Sequence, residues 1–174
     1  TRAFYKIPYA APPLGDARWR PPGPHAPWKE PLDATKKGPG CLQIDRISGA
    51  INTHSSEDCL TVNVWTPADT PSAPAPVLVW IHGGTFVTGS GSDIDFDGRK
   101  LSEATGSVVV TLNYRLGPLG YLAYAPLASE DAEHPSTGMY GFEDQRAALA
   151  WVKANIAAFG GDSSNVTLFG ESAG

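Results

Sequence analysis

The residues whose types and spacing best suit catalysis are the last five of the chain, which read Gly-Glu-Ser-Ala-Gly at positions 170–174. They fit the pattern G-x-S-x-G, in which a serine sits on a sharp strand-to-helix turn with its hydroxyl exposed. Glycine suits both ends of the pattern because a residue without Cβ permits strained backbone and close approach of neighbouring elements. The apolar run at 166–169 predicts a buried strand that presents Ser172 as a nucleophile.

A second glycine-rich turn lies at residues 82–86, where His-Gly-Gly-Thr-Phe follows the apolar run 77–81. Attack by a serine on an acyl group creates a negatively charged oxygen, and backbone N–H groups in such a turn can bind it. The N–H of Ala173, the residue after the candidate nucleophile, would add a donor from the serine turn. The two turns together indicate acyl transfer.

Composition limits the classes of partner. With 174 residues, 41% of them hydrophobic, the chain is typical of a soluble globular domain. A net charge of -5 with scattered Lys and Arg argues against nucleic acid. No apolar run approaches the length of about 18 residues that a membrane-spanning helix needs. Because the chain begins at Thr1 without Met or a signal peptide, we expect the N-terminus to be trimmed, which leaves localisation open.

Cys41 and Cys59 are the only cysteines. No His or Asp accompanies them at metal-ligand spacing, so a zinc site is not expected, and nothing else in the sequence calls for a metal or cofactor. A disulfide between them would stabilise the fold by about 3 kcal/mol on the chain-entropy model. The residues alone leave a disulfide and two free thiols equally open.

Hydrophobic patterning predicts an α/β fold. Residues 60–65 alternate, which is typical of a half-buried strand. One face carries Leu60, Val62 and Val64, and the other carries Thr61, Asn63 and Trp65. The runs 77–81, 108–112 and 166–169 are continuously apolar, as in strands covered on both faces. Such strands separated by helix-length segments indicate a mostly parallel central sheet with crossover helices.

Two further segments of the chain have a predicted structure. Residues 1–40 are rich in proline and aromatic residues, which predicts an extended segment that wraps the domain. A helix is predicted to begin near Glu143 and Asp144 and to end at Gly160, with a core-facing side and no chemistry of its own.

Segments along the whole chain resemble, in family order, the type B carboxylesterases, an α/β-hydrolase family that includes para-nitrobenzyl esterases, animal carboxylesterases and cholinesterases. The similar segments are residues 4–11, 57–64 (Glu-Asp-Cys-Leu-Thr-Val-Asn-Val), 80–86, 113–117, 141–145 and 159–174. The resemblance implies an α/β-hydrolase fold with antiparallel N-terminal strands. It also implies that residues 1–174 are the N-terminal portion of a single domain, truncated after the nucleophile elbow.

The resemblance also implies roles for individual residues. Ser172 would be the nucleophile, and the N–H groups of Gly84, Thr85 and Ala173 would form the oxyanion hole. His82 would belong to the oxyanion loop, because the family order places the base and acid after the serine.

Structural pairings follow from the same resemblance. It implies a disulfide between Cys41 and Cys59, which favours a secreted or extracytoplasmic location without excluding the cytoplasm. It implies ion pairs between Arg18 and Glu57 and between Arg115 and Asp144. The alternative for these charges is solvent exposure, where a pair contributes under about 1 kcal/mol.

Two residues depart from the family pattern. Lys6 replaces a glycine of the opening motif, and we expect little effect on a surface segment. Thr85 replaces the third small residue of the oxyanion loop. Either its backbone is ordinary, or the loop is strained by about 1–3 kcal/mol because β-branched residues are poorly suited to positive φ. We expect its side chain to narrow the pocket entrance.

Several other residues have a structural interpretation. Asn165 begins an N-x-T sequon, but its place on a predicted buried strand argues against glycosylation. Phe86 could shape an acyl pocket or pack beneath the loop. His25, His54 and His134 lie in polar or proline-rich loops and are expected to be solvated.

The predicted function is hydrolysis of small-molecule carboxylic esters through an acyl-enzyme on Ser172. Only Ala173 and Gly174 follow the serine, so the base and acid must lie outside this sequence, and the chain alone is expected to be inactive and poorly folded. The alternatives are a non-catalytic, neuroligin-like adhesion or binding protein on the same scaffold, and cleavage of thioesters or carbamates. The sequence leaves the oligomeric state open.

Overall fold

The computed structural model of the chain describes residues 1–45, 47–68, 73–129 and 138–174. His134, which was predicted to be solvated, lies outside these described residues. The strands are β1 (Arg2–Pro8), β2 (Gly40–Cys41), β3 (Ser55–Ser56), β4 (Thr61–Thr66), β5 (Ala75–Ile81), β6 (Val108–Leu112) and β7 (Gly161–Gly170). The α-helices are α1 (Arg99–Thr105), α2 (Gly117–Tyr121), α3 (Ala125–Ala128) and α4 (Tyr140–Asn155), with 3₁₀ turns at Gly15–Ala17, Ile94–Phe96 and Ile156–Phe159.

The main sheet has five strands in the order β1-β4-β6-β5-β7. β5 lies parallel to both β6 and β7, with Val79 opposite Val110 on one side and Leu168 on the other. β4 runs antiparallel to β1 and β6. The predicted α/β architecture, a parallel centre with antiparallel N-terminal strands, is confirmed.

The centre of the core is formed by strand residues, many of them β-branched, and α4 packs on it. Val62, Val77 and Val110 are fully buried, as expected for central strands. The face of α4 that packs on the sheet carries Ala148 and Val152, both buried. The helix begins at Tyr140, ahead of the predicted acidic start, and the 3₁₀ turn after it is capped by Gly160 (φ 84°).

The prediction that β4 is half-buried is wrong, because all six of its residues are buried. β4 lies between β1 and β6, so neither of its edges is exposed. On its second face the Trp65 ring meets the ring of Tyr5 edge-on with centroids 5.8 Å apart. Asn63, on the same face, donates to the carbonyl of Gly91 (3.1 Å) and to the hydroxyl of Thr111 (3.0 Å). Polar residues are buried here because their hydrogen bonds are satisfied.

The prediction that the strand before the serine is buried is also wrong. Leu168 and Phe169 in β7 are 49% and 37% exposed. β7 is the edge strand, and within the described ranges it pairs only with β5. Asn165 is exposed as well, so the burial expected for the sequon does not hold.

The predicted covalent link is confirmed, since Cys41 and Cys59 form a disulfide with Cα atoms 5.0 Å apart. Both predicted ion pairs, Arg18–Glu57 and Arg115–Asp144, are confirmed too, and they differ in how deeply their side chains are buried.

Arg115 donates from Nη2 to Asp144 Oδ1 (2.7 Å) and from Nε to Oδ2 (2.8 Å), with the two side chains 3% and 0% exposed. Arg18 and Glu57 form a similar bidentate pair nearer the surface, with side chains 36% and 19% exposed. Because the first pair is buried, the solvent-exposed alternative does not apply to it.

Lys6 lies at an irregularity in the pairing of β1 with β4. Its φ is 55°, in the left-handed region that favours glycine. Its N–H donates to the side chain of Asn63 (3.1 Å), which holds the backbone in this conformation. The expectation that this lysine has little effect is therefore wrong for the backbone, which is strained at Lys6.

Candidate active site

The turn that carries Ser172 begins where β7 ends, at Gly170. Ser172 is exposed and has φ 57°, a strained conformation for a residue other than glycine. The N–H of Gly174 closes the turn by donating to the carbonyl of Glu171 (2.9 Å). A Cβ on Gly170 would lie 2.7 Å from the carbonyl oxygen of Ile81, and one on Gly174 would overlap the same atom. Both glycines of the motif are thus required by close approach to β5.

The glycine-rich turn at 82–86 lies directly against the serine turn. β5 and β7 are parallel neighbours, so their carboxyl ends meet at one edge of the sheet. A Cβ on Gly83 would lie 2.6 Å from the carbonyl oxygen of Glu171 and 3.1 Å from Cβ of Ser172. The structure therefore brings together the two turns that the sequence singled out.

The orientation of two carbonyl groups determines where this loop directs its N–H groups. Nδ1 of His82 donates to the carbonyl of Gly83 (2.8 Å). The carbonyl of Gly84 accepts from the N–H groups of Val87 and Thr88 (3.0 Å each). In a trans peptide the C=O of one residue and the N–H of the next point in opposite directions. The N–H groups that follow, on Gly84 and Thr85, therefore point away from these internal hydrogen bonds.

Several backbone N–H groups at the site have no acceptor among the residues that the structure describes. Those of Gly84, Thr85 and Ala173, the positions that the family resemblance indicated as oxyanion donors, are among them. Unused backbone donors beside an exposed serine are suited to binding an anionic oxygen.

Of the two alternatives for Thr85, the structure shows the strained one. Thr85 has φ 54° and Phe86, next to it, has φ 61°. The exposed Thr85 side chain donates from Oγ1 to the carbonyl of Gly84 (2.8 Å). Phe86 packs with its ring centroid 5.0 Å from that of Tyr121 and 5.6 Å from that of Phe142, which favours the interpretation that it supports the loop from beneath.

His82 is 1% exposed and its ring stacks on that of Tyr114 with centroids 4.4 Å apart. Burial lowers the pKa of His82, so its imidazole is neutral at pH 7 and its Nδ1–H is committed to Gly83. Burial raises the pKa of Tyr114 to about 12, and its hydroxyl donates to the carbonyl of His82 (2.7 Å). These contacts give His82 a structural place within the loop. His54 is exposed, as expected, whereas His25 is half-buried, with its Nδ1 2.6 Å from the carbonyl oxygen of Ala26.

The polar side chains that hold the rest of the glycine-rich segment were not predicted from the sequence. Gly91 donates to Oδ1 of Asn113 (2.8 Å), and its carbonyl accepts from Thr111 (2.6 Å). The side chain of Gln43 bonds to both backbone groups of Gly89 (2.9 Å each). No local pattern marks these side chains, because their glycine partners lie between 20 and 46 residues away in the chain.

An apolar cavity of about 470 Å³ lies between the disulfide loop, residues 41–59, and the chain that leaves the glycine-rich turn. Its aliphatic lining includes Leu42, Ile44, Ile51, Val87, Leu116 and Leu119. Across the described ranges, no group of three or more His, Cys, Asp or Glu side chains is placed to hold a metal ion. In the same part of the chain, no helix has both the length and the apolar character to cross a membrane.

The sequence model of the carboxylesterase family matches residues 1–174. The chain is 49% identical over 97% of its length to a para-nitrobenzyl esterase of Bacillus subtilis, covering 34% of that protein. It is 45% identical over 98% of its length to a fumonisin B1 esterase of Sphingopyxis macrogoltabida, covering 32% of it. It is 47% identical over 99% of its length to an acetylcholinesterase of Gallus gallus, covering 23% of it. The chain thus spans about a third or less of the length of these curated relatives.

Solved structures of PNB esterase have the same fold. One has a TM-score of 0.85 and 50% identity, with 99% of this chain and 34% of the other covered. A thermophilic PNB esterase has a TM-score of 0.86 and 47% identity, with 98% of this chain and 35% of the other covered.

Proposed function

The chain belongs to the carboxylesterase family, and from that premise we propose that it supplies the nucleophile and the oxyanion donors of a serine hydrolase acting on carboxylic esters. The observation that carries the proposal is the position of Ser172, which is exposed at φ 57° and so close to Gly83 that a Cβ on Gly83 would lie 3.1 Å from the Cβ of the serine. Strained backbone is retained where function requires it. Residues 1–174 would form the N-terminal portion of one α/β-hydrolase domain.

In the proposed reaction, Oγ of Ser172 attacks the ester carbonyl carbon, and the carbonyl oxygen becomes an oxyanion. The N–H groups of Gly84, Thr85 and Ala173 bind that oxygen. Collapse of the tetrahedral intermediate breaks the bond to the alcohol and leaves an acyl-enzyme, which water then hydrolyses. Removal of one such donor typically lowers kcat by about 10²–10³.

A general base must remove the proton from Ser172, and we propose that it lies in sequence beyond this chain. His82 is buried and bonded to Gly83, so it cannot turn towards the serine without breaking the loop. In this fold the acid and then the histidine follow the nucleophile. The chain by itself is therefore expected to show no Ser172-dependent multiple turnover of para-nitrophenyl acetate, measured against Ser172→Ala.

The substrate is proposed to be a small-molecule ester. The relatives are named for different esters, so the family alone does not identify it. The apolar cavity beside the loop suits an uncharged substituent, because its aliphatic walls offer burial and no counter-charge.

The test uses the protein encoded by the complete reading frame, here called the complete protein. Mixed with para-nitrophenyl acetate, it should release a burst of para-nitrophenol equal to the protein concentration, and a phosphonate ester should label Ser172 in mass spectra. Ser172→Ala should abolish both signals. A folded protein with no burst and no labelling would contradict the proposal and favour the non-catalytic binding scaffold.

A further inference from the structure

The side chain of Gln43 connects the disulfide loop to the glycine-rich segment. Its Oε1 accepts from the N–H of Gly89 (2.9 Å), and its Nε2 donates to the carbonyl of the same residue (2.9 Å). Nε2 also donates to the carbonyl of Cys41 (2.9 Å). The carboxamide thus holds both backbone groups of one glycine, in an orientation set by the chemistry of its partners.

Gly89 in turn contacts the first residues of the proposed oxyanion loop. Its φ is 113°, and a Cβ there would overlap Nδ1 of His82 and lie 2.6 Å from the carbonyl oxygen of Gly83. That carbonyl belongs to the peptide whose N–H, on Gly84, is a proposed oxyanion donor. A displacement of Gly89 would therefore disturb the peptide that aims this N–H.

Gln43 is itself held on a constrained base. It lies two residues after Cys41, whose disulfide closes the loop. Its carbonyl accepts from the N–H of Asn52 (2.9 Å) on the returning limb of the same loop. The disulfide loop thus presents Gln43 to Gly89 as a fixed support.

We propose that Gln43 is a positioning residue for catalysis, which fixes the oxyanion loop through Gly89 while making no contact with the reacting atoms. The inference rests on the proposed function. Oxyanion donors act in the transition state more than in the ground state, so their misplacement should lower kcat and leave KM nearly unchanged.

The primary test compares Gln43→Leu with Asn52→Leu in the complete protein. Gln43→Leu should lower kcat for para-nitrophenyl acetate by about 10- to 100-fold, with KM changed less than about threefold, as expected for a displaced donor. Asn52 carries an amide in the same loop that bonds to the N–H of His54 (2.8 Å) and not to Gly89. Asn52→Leu should leave kcat within about twofold. Equal losses in the two variants would overturn the proposal.

Gln43→Glu adds a readout that a merely structural role would not produce. The ionised carboxylate cannot donate to the carbonyl of Gly89, whereas the protonated acid can both accept from and donate to that residue. The kcat of Gln43→Glu relative to the unsubstituted protein should therefore rise as the pH falls from 8 to 5. A ratio that is flat with pH, together with a normal kcat in Gln43→Leu, would overturn the proposal.

Hydrogen exchange tests the positioning role of Gln43 independently of esterase activity. In Gln43→Leu, the peptide covering residues 82–90 should exchange faster, whereas Asn52→Leu should leave its exchange unchanged. If the unsubstituted protein shows no Ser172-dependent burst, the esterase proposal fails, and positioning for that reaction fails with it. Unchanged exchange in Gln43→Leu alongside a normal burst would overturn only the role of Gln43.

Discussion

Backbone strain at single residues is concentrated where chemistry is proposed. Thr85, Phe86 and Ser172 all hold positive φ without being glycine. Each such residue costs of the order of 1–3 kcal/mol and persists only where surrounding contacts enforce it. Here the enforcement is visible, because the carbonyl of Gly84 accepts from Val87 and Thr88 and so fixes the turn.

Lys6 offers a test of this cost away from the site. Lys6→Gly should raise the free energy of unfolding by about 0.5–1 kcal/mol, because relief of left-handed strain exceeds the entropic cost of glycine. Arg2→Gly is the matched control, since Arg2 is exposed on the same strand without positive φ. It should lower the free energy of unfolding by a similar amount. Urea unfolding of the complete protein measures both, and equal signs for the two variants would contradict the assignment of strain.

Thr85→Gly tests the expectation that the threonine side chain narrows the pocket entrance. Because the side chain is exposed in the loop beside the serine turn, its removal should raise kcat/KM for branched acyl esters relative to acetate by about tenfold, the scale of one or two methyl groups. Thr85→Val keeps the branched shape and should keep the original ratio. The ratio is obtained from kcat/KM measured separately for para-nitrophenyl pivalate and para-nitrophenyl acetate. An unchanged ratio in Thr85→Gly would contradict the expectation that the threonine narrows the entrance.

At the level of secondary-structure elements, the hydrophobic pattern predicted where the strands lie better than it predicted which of their residues are buried. The run 108–112 coincides with β6, and the run 77–81 forms most of β5. Burial of Asn63 in β4 could not be predicted, because its amide donates to Gly91 and Thr111, which lie 28 and 48 residues later in the chain. The exposure of Leu168 could not be predicted either, because an apolar run does not reveal which strand lies at the sheet edge.

The same limit applies to the site. Gly83, Ser172 and their motifs could be recognised from local sequence because close backbone approach requires glycine at fixed spacing. Gln43 could not, because its importance comes from a contact with Gly89 that is 46 residues distant. Side chains that act through another residue leave no local pattern.

The ion pair that joins α4 to the end of β6 should be far more important for stability than the one nearer the surface. Asp144→Ala leaves the buried guanidinium of Arg115 without its partner and should cost about 3–5 kcal/mol. Glu57→Ala, in the partly exposed pair with Arg18, should cost about 1 kcal/mol or less. Urea unfolding curves of the two variants decide this, and similar costs would show that burial does not set the difference.

The disulfide loop should depend on its covalent closure. Replacing Cys41 and Cys59 together by serine should lower the free energy of unfolding by about 3 kcal/mol, the chain-entropy value for a loop of this length. The unsubstituted protein in dithiothreitol should show the same loss, while the double variant should not respond to the reductant. A loss well below about 1 kcal/mol would mean that the loop is held by its packing instead.

For the whole molecule, the two edges of the main sheet differ. The edge at β1 is covered by the proline-rich segment, where the N–H of Tyr5 donates to the carbonyl of Ala34 (2.8 Å). At the opposite edge, β7 pairs on one side only among the described strands, and it exposes Leu168 and Phe169. An open, apolar edge strand is a template for pairing with another chain.

The open edge predicts how residues 1–174 behave when expressed alone. They should self-associate with increasing concentration in sedimentation velocity, because a second copy can pair with β7 and cover its apolar side chains. Leu168→Lys places a charge on that strand, where the side chain is 49% exposed, and should shift the distribution towards the monomer. Ile47→Lys removes a 99% exposed apolar residue from the disulfide loop and should leave the distribution unchanged. If the two variants reduce association equally, general surface hydrophobicity is the cause. An effect confined to Leu168→Lys identifies β7 as the strand at which the copies pair.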